Sequence, residues 1–202
     1  MRKLRISRSI TFLAVLAAVL FGVLGTAGVG QTDSSGSRFA HAVVKDAAGN
    51  TLGTVSFFAS GNKLAVSGRL TGVAAGFHGF HVHAVGICDP RATDPAGNVV
   101  PFASAGPHLD AGGHTHGAHS GDLPSLLVTE DGTTVTATAT DRLSGALLFD
   151  ADRSAIIVHA GADNFANIPA RYSAAGVPGP DAATLGTGDS GARFACGVIV
   201  RG

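Results

Sequence analysis

Residues 76–90, GFHGFHVHAVGICDP, contain three histidines within six positions, separated by Phe, Gly and Val. In an extended strand alternate residues share a face, so His81 and His83 point the same way as Gly79. Their imidazoles lie about 7 Å apart along the strand, and Gly79 leaves space beside them. This spacing lets both rings converge on one metal ion, so the stretch predicts a β-strand that carries a metal site.

The opposite face of this strand carries Phe80 and Val82, which we expect to enter the hydrophobic core. His78 falls on the same side as these two residues. We therefore interpret His78 as a core histidine that bonds to backbone groups, not as a metal ligand.

The chain beyond residue 38 is built mainly of short runs with apolar residues at every second position, separated by turns rich in Gly, Asn and Asp. Such alternation is typical of antiparallel strands, and about eight strands at this spacing indicate an all-β sandwich or barrel. We find no helical periodicity outside the N-terminal segment. The clearest runs are FAHAVVK, TVSFFA, KLAVSGRL, SLLVT, TVTATAT, AIIVHA and FACGVIV.

Two segments, 87–124 and 161–191, do not fit the strand pattern. Both are rich in Gly, Pro, Asp, Asn and His. They are long for structureless connections, and loops of this length usually carry function. The sequence therefore predicts two long functional loops on a β-scaffold.

Residues 1–30 have the layout of a secretory signal peptide, with four basic residues, an apolar run and a small-residue patch. A retained membrane anchor is the alternative, but the apolar run has only about 15 residues against the roughly 20 that span a bilayer. We expect a polar tether at 31–37, a folded domain at 38–202 and no integral membrane span after processing. The protein would then be exported, to the extracellular space, the cell envelope or the periplasm.

The charge balance argues against nucleic acid as a partner. The full chain has 14 basic and 14 acidic residues, and loss of the four basic residues in 1–30 leaves 10 against 14, a net charge of −4. A mildly acidic protein lacks the bulk positive charge through which proteins bind nucleic acids.

The two cysteines, Cys88 and Cys196, both lie in the exported part of the chain. In an oxidising compartment we expect them to form a disulfide. It would close a loop of about 100 residues, which the chain-entropy treatment values at roughly 4 to 5 kcal/mol. Two free thiols are the alternative.

A second histidine cluster lies at residues 104–124, SAGPHLDAGGHTHGAHSGDLP. Three imidazole nitrogens and one carboxylate oxygen can form a tetrahedral zinc site, and imidazole-rich sites also suit Cu(II). A loop that traps metal adventitiously is the alternative. The candidate ligands are His108, His114, His116, His119, Asp110 and Asp122.

A third motif, AIIVHAGADN, places His159 at the end of an apolar strand and Asp163 four residues later. Metal-binding histidines usually donate their second N–H to a carboxylate or a carbonyl. We therefore expect His159 to be a ligand and Asp163 to orient a ligand.

Five motifs occur in the order GFHGFHVH, SAGPH, HSGDL, IIVHAGAD and GARFACGVI. Together they resemble the copper-zinc superoxide dismutases, most closely the secreted bacterial branch, across residues 39–200. The resemblance implies a Greek-key β-sandwich or flattened barrel with a copper and a zinc site.

Carried onto this sequence, the resemblance makes His108 a bridge between the two metals. Asp163 would link ligands of the two metal sites without binding a metal itself. The spacing leaves two choices for one zinc ligand, His116, which we prefer, and His114. The implied copper ligands are His81, His83, His108 and His159, the implied zinc ligands are His108, His116, His119 and Asp122, and the implied disulfide joins Cys88 to Cys196.

The resemblance also implies the chemistry, 2 O₂⁻ + 2 H⁺ → O₂ + H₂O₂, through Cu(II)/Cu(I) cycling. His108 would take up and deliver a proton, and Arg193 would hold and attract the superoxide anion; a structural salt bridge is the alternative role for Arg193. Zinc has no redox chemistry and would brace the site. A homodimer is one expected assembly, and a secreted copper-buffering protein of the same fold is the alternative function.

Overall fold

The computed structural model describes residues 37–202, so the predicted signal peptide and residues 31–36 of the predicted tether lie outside the described residues. The described chain forms strands, two short helices and one 3-10 turn (Ala103–Ala105). In chain order the strands and helices are β1 (Arg38–Asp46), β2 (Thr51–Ser60), β3 (Lys63–Thr71), β4 (Gly76–His78), β5 (Phe80–His83), β6 (Leu126–Val128), β7 (Thr133–Thr140), α1 (Gly145–Leu148), β8 (Ala155–His159), β9 (Ser173–Ala174), β10 (Val177–Pro178), α2 (Ala182–Thr187), β11 (Arg193–Val198) and β12 (Val200–Arg201).

Eight of these strands form one antiparallel sheet. Seven follow the order β5-β8-β11-β1-β2-β3-β7, and β12 pairs with β1 beyond β11. Two small ladders join β4 to β6 and β9 to β10. The predicted all-β fold of about eight antiparallel strands is confirmed.

The core follows from the alternation along the strands. In β1, Ala40, Ala42 and Val44 are fully buried, whereas the residues between them are partly or fully exposed. Phe80 and Val82 of β5 belong to the same buried cluster, as predicted. This packing fixes which face of β5 meets the core, and it turns His81 and His83 to the other face.

His78 is a core histidine, as predicted. It is 4% exposed, and its two ring nitrogens lie 2.8 Å from the carbonyl oxygens of His159 and Ala74. Buried polar groups are normally bonded in this way. His78 therefore ties β4 to the end of β8 and takes no part in the metal groups described below.

The two predicted loops differ in how much regular structure they contain. Residues 87–124 include only the 3-10 turn among the elements, whereas 161–191 include β9, β10 and α2. Neither α1 nor α2 gave a helical periodicity in the sequence; Asp181 caps α2 by accepting a bond from the Thr184 N–H. Helices of six and four residues are too short to show a periodic pattern. Neither of these two helices has the length that a membrane span requires.

Candidate metal centre

Four imidazoles from three parts of the chain converge at one end of the sheet. His81 and His83 come from β5, His159 ends β8, and His108 comes from the first long loop. All four residues are at most 7% exposed. Each can offer one nitrogen to a group in which these atoms lie within 4.8 Å of one another. We call these four residues the copper-side group.

Three of these rings are oriented by hydrogen bonds on the side that faces away from the group. The Nδ1–H groups of His83 and His159 donate to the carbonyl oxygens of Gly106 and Gly191, at 2.8 and 3.0 Å. The Nε2–H of His81 donates to Asp163 Oδ2 at 2.9 Å. Each bond fixes the tautomer and leaves the opposite nitrogen of the ring with a free lone pair.

Several ring nitrogens that face into the copper-side group accept no hydrogen bond from the protein. His81 Nδ1 and His108 Nε2 are buried without a hydrogen-bond partner. The Nε2 atoms of His83 and His159 face each other at 3.4 Å, and both are lone-pair acceptors in the tautomers just described. Buried acceptors left unpaired are costly, and a cation between them satisfies all four.

A second group combines His81, His108 and His116 with Asp122, again with ligand atoms within 4.8 Å of one another. Asp122 Oδ1 lies 3.0 Å from His108 Nδ1 and 3.3 Å from His116 Nδ1. His119 is outside this set of four, but its Nδ1 is 3.3 Å from the same carboxylate. Three imidazoles therefore direct Nδ1 towards one aspartate. We call His108, His116, His119 and Asp122 the zinc-side group.

The structure brings His116, not His114, into this group. The His116 side chain is fully buried, and its backbone N–H donates to the Leu185 carbonyl of α2 at 2.8 Å. The His114 side chain is 52% exposed and is bound to Asp110 at 2.8 Å. His114 and Asp110 thus form a surface pair beside the site.

Asp163 connects the two groups. Its Oδ2 accepts from His81 Nε2 at 2.9 Å and its Oδ1 accepts from His116 Nε2 at 2.7 Å. Both side chains of each pair are fully buried. One carboxylate therefore sets the orientation of an imidazole in each half of the site.

Burial keeps three of the copper-side histidines, His83, His108 and His159, neutral in the metal-free protein. It lowers the pKa of His108 to about 4 and that of His159 to about 3, with further lowering from neighbouring imidazoles. Burial and the proximity of His108 also lower the pKa of His83 well below its usual value. Neutral imidazoles have the lone pairs that metal binding needs, so this half is preorganised for a cation.

The zinc side has the opposite electrostatics. Burial alone would lower the pKa of His116, but its bonds to Asp122 and Asp163 raise that pKa to about 9. The pKa values of both carboxyls are held below their usual range, because the bonds from the histidines outweigh burial. Without metal this half is therefore a buried ion-pair network.

Arg193 stands at the mouth of the copper-side group. The register of β11 against β8 places it opposite His159, just before a β-bulge. Its Nη1 and Nη2 donate to the carbonyl oxygens of Phe102 and Gly106. A cavity of about 410 Å³ opens there onto Arg193, His83, His108, His159, Thr187 and Asp189, among others. The guanidinium and three imidazoles thus share one opening to solvent.

The Cys88–Cys196 disulfide is present, as predicted. It ties the first long loop to β11 and packs in a small buried cluster with Phe102 and Ile157. The loop carbonyls that hold Arg193 are therefore covalently linked, through this bridge, to the strand that carries Arg193.

The family model described as "Copper/zinc superoxide dismutase (SODC)" matches residues 51–199, most of the chain. The chain belongs to the copper/zinc superoxide dismutase family. Members of this family use copper and zinc, and the two groups described above contain the ligand types that these metals bind.

Similar proteins come from several bacteria. A "Superoxide dismutase [Cu-Zn]" of Mycolicibacterium paratuberculosis is 52% identical over 130 residues, which are 63% of this chain and 57% of that protein. One from Escherichia coli (strain K12) is 35% identical over 163 residues, 78% of this chain and 83% of that protein. This chain therefore spans little more than half the length of the first relative.

Among solved structures, the Cu/Zn superoxide dismutase from Brucella abortus superposes with a TM-score of 0.59 at 30% identity, covering 80% of this chain and 99% of that one. The likeness supports the family fold across the described domain.

Sequence reasoning missed several groups that shape this family site. The carbonyls of Gly106 and Gly191 orient two imidazoles, and backbone acceptors of this kind have no signature in a sequence. It also missed Phe165, whose ring stacks on His116. Phe165 follows Asp163 by two residues, but this spacing indicates a position near His116 only once Asp163 is known to bind His116.

Proposed function

We propose that this protein is a copper-dependent superoxide dismutase that converts two superoxide ions and two protons to dioxygen and hydrogen peroxide. One observation carries the proposal: four buried imidazoles direct unpaired nitrogens at one point, beside an arginine that opens to solvent. The family membership and the names of the relatives agree with this activity.

His81, His83, His108 and His159 would hold copper, and His108, His116, His119 and Asp122 would hold zinc. Bound copper would supply the one-electron redox chemistry of the reaction. Zinc would supply positive charge and rigidity, since it has no redox chemistry. His108 belongs to both groups, with Nδ1 towards Asp122 and Nε2 towards the copper side.

Arg193 would bind the anionic substrate. Two of its five N–H donors are used by the carbonyls of Phe102 and Gly106, which leaves three for an anion in the cavity. Those carbonyl bonds fix the guanidinium beside His83 and His159. The arrangement would place a fixed positive charge where superoxide arrives, in a cavity that also exposes His83, His108 and His159.

His108 would move the proton. Its Nε2 is buried and unpartnered, and burial disfavours the charged ring, which keeps a proton on this atom loosely held. A proton taken up at Nε2 can be handed to the peroxide product in the same cavity. In the metal-free protein the bond from Nδ1 to Asp122 already fixes the orientation of this ring.

Export of the mature domain, to the periplasm or the cell surface, completes the proposal. The support is the layout of residues 1–30 and the Cys88–Cys196 bridge, since disulfides persist in oxidising compartments. Fractionation of cells that express the full chain, with N-terminal sequencing of the mature product, tests this point. Recovery of uncleaved protein in the cytoplasm would contradict it.

The activity is tested by stopped-flow measurement of superoxide decay with copper-loaded and metal-free protein. Enzymes of this class are known to approach the diffusional ceiling of about 10⁸ to 10⁹ M⁻¹s⁻¹, and we expect copper-dependent decay in that range. His159→Ala should lose most of it while remaining folded. His114→Ala is the matched control, because this histidine lies on the surface outside both groups.

Full activity in copper-loaded His159→Ala, or no acceleration by copper in the wild type, would contradict the proposal. The second result would favour copper storage by the same group of histidines.

A further inference from the structure

Phe165 covers one member of the zinc-side group, His116. Its ring stacks on the His116 imidazole with ring centroids 6.3 Å apart and an angle of 16° between the planes. Phe165 is 41% exposed, whereas His116 is 4% exposed. The phenyl ring therefore lies between this imidazole and solvent.

The backbone is built to hold the ring there. Phe165 and Ala166 both have left-handed conformations, with φ of 55° and 54°, which bulky residues rarely adopt. Two bonds enforce them: the Phe165 N–H donates to Asp163 Oδ1 at 2.7 Å, and the Ala166 N–H donates to Asn164 Oδ1 at 2.8 Å. Asp163 thus positions the ring and the imidazole beneath it.

The neighbouring loop packs closely against the backbone of Phe165. A Cβ on Gly117 would come within 2.7 Å of the Phe165 carbonyl oxygen, so only glycine permits this approach directly after His116. Strained residues that the surroundings enforce often mark functional positions. Here the enforced feature is an exposed phenyl ring over a buried imidazole.

A separate cavity of about 390 Å³ lies outside the ring. It is lined by Phe165, Gly117, Asp122 and Arg142, among others, and it shares no lining residue with the cavity at Arg193. Arg142 closes part of it by donating to the Gly117 carbonyl at 3.0 Å. Phe165 and Asp122 belong to the lining and His116 does not, so the ring separates this cavity from the His116 imidazole.

We propose that Phe165 is the solvent cap of His116 in the zinc-side group and slows exchange of the metal held there. The proposal rests on the zinc site of the proposed function and adds a residue that no ligand pattern includes. The apolar shell of a metal site controls access of solvent, and release of a metal requires water, protons or a competing ligand at its ligands. Removing the ring opens that route and leaves the ligands in place.

The test is metal release after mixing with excess chelator. Protein loaded with copper and with Co(II) at the zinc side, followed by the Co(II) absorption bands, reports exchange at that site alone. Phe165→Asn removes the ring and suits the left-handed backbone, so we expect release to be about tenfold faster. Phe165→Leu keeps an apolar cover and should release metal at close to the wild-type rate.

Two controls separate a cap from a merely structural residue. Phe77→Asn removes another exposed phenyl ring, 59% exposed on β4, and should leave the release rate unchanged. The thermal midpoint of metal-free Phe165→Asn should equal or exceed that of the wild type, because the substitution relieves a strained conformation.

An unchanged release rate in Phe165→Asn would overturn the proposal. Faster release accompanied by a lower midpoint of the metal-free variant would also overturn it, since the ring would then act through general stability. A wild type that takes up no Co(II) or Zn(II) beside copper would do the same. Copper-dependent superoxide decay, measured in parallel, reports separately on the proposed function.

Discussion

Loss of the Cys88–Cys196 bridge should destabilise the domain and loosen its active site. The bridge joins residues 108 positions apart. For a loop of that length, the chain-entropy treatment gives a loss of about 5 kcal/mol of unfolding free energy. In a domain of this size, 1 kcal/mol shifts the thermal midpoint by about 2 to 4 °C, so we expect a fall of about 10 to 20 °C.

The assay is thermal unfolding of metal-free protein in three forms: oxidised wild type, reduced wild type, and the double variant Cys88→Ala/Cys196→Ala. Oxidised and reduced wild type differ only in the covalent link, since both retain the sulfur atoms in their small buried cluster. The double variant should resemble the reduced protein apart from a small loss of packing. Single variants are avoided because each leaves a free thiol.

The same bridge should affect activity below the unfolding temperature. Phe102 and Gly106 lie in the loop that it ties to β11, and their carbonyls hold Arg193. The Gly106 carbonyl also accepts from His83. Copper-loaded reduced protein should therefore have a lower kcat/KM while still folded. A midpoint change below about 3 °C on reduction would refute the entropic argument, and unchanged kcat/KM would refute the link to Arg193.

Three further predictions follow from the site. Arg193→Ala should lower kcat/KM more at low than at high ionic strength, because salt screens the attraction of the anion. Arg193→Lys is the control, because it keeps the positive charge. If Arg193→Ala and the wild type depend on salt identically, the role of Arg193 is limited to its bonds to the loop carbonyls. Gly188→Ala places a Cβ against Asp163 and His116 at φ +63° and should weaken zinc-side metal affinity by about 10- to 100-fold in a titration. Gly61→Ala, at φ +60° with open space around it, controls for backbone strain. If both variants weaken metal affinity equally, the clash with Asp163 and His116 is not the cause. Metal-free protein should be most stable near pH 6.5 in denaturant titrations. Below that pH the lowered pKa values of His83, His108 and His159 remove stability, because the unfolded chain binds the protons; as pH rises through about 9, the stabilisation from the raised pKa of His116 is lost. A stability that does not vary between pH 5 and 9 would contradict these assignments.

The strands and the inward face of β5 were predictable because strand alternation is a local property. A side chain on a strand points to the side opposite its neighbours whatever surrounds it, so the faces of Phe80 and His81 follow from order alone. The histidine and cysteine motifs could also be identified from the sequence, because they consist of given residue types at given positions. The two short helices were not predicted, because four and six residues are too few to show helical periodicity.

The sequence by itself determined the all-β architecture, the family and the set of candidate ligands, since each depends on local alternation or on motif order. Only the tertiary structure placed His116, and not His114, beside Asp122, although the two histidines lie two residues apart in the same loop. This placement depends on bonds to Leu185 and Asp163, which are remote in sequence. Folding of one long loop onto another likewise placed Phe165 over His116. Loop conformation is set by such long-range contacts, and spacing along the chain does not encode them.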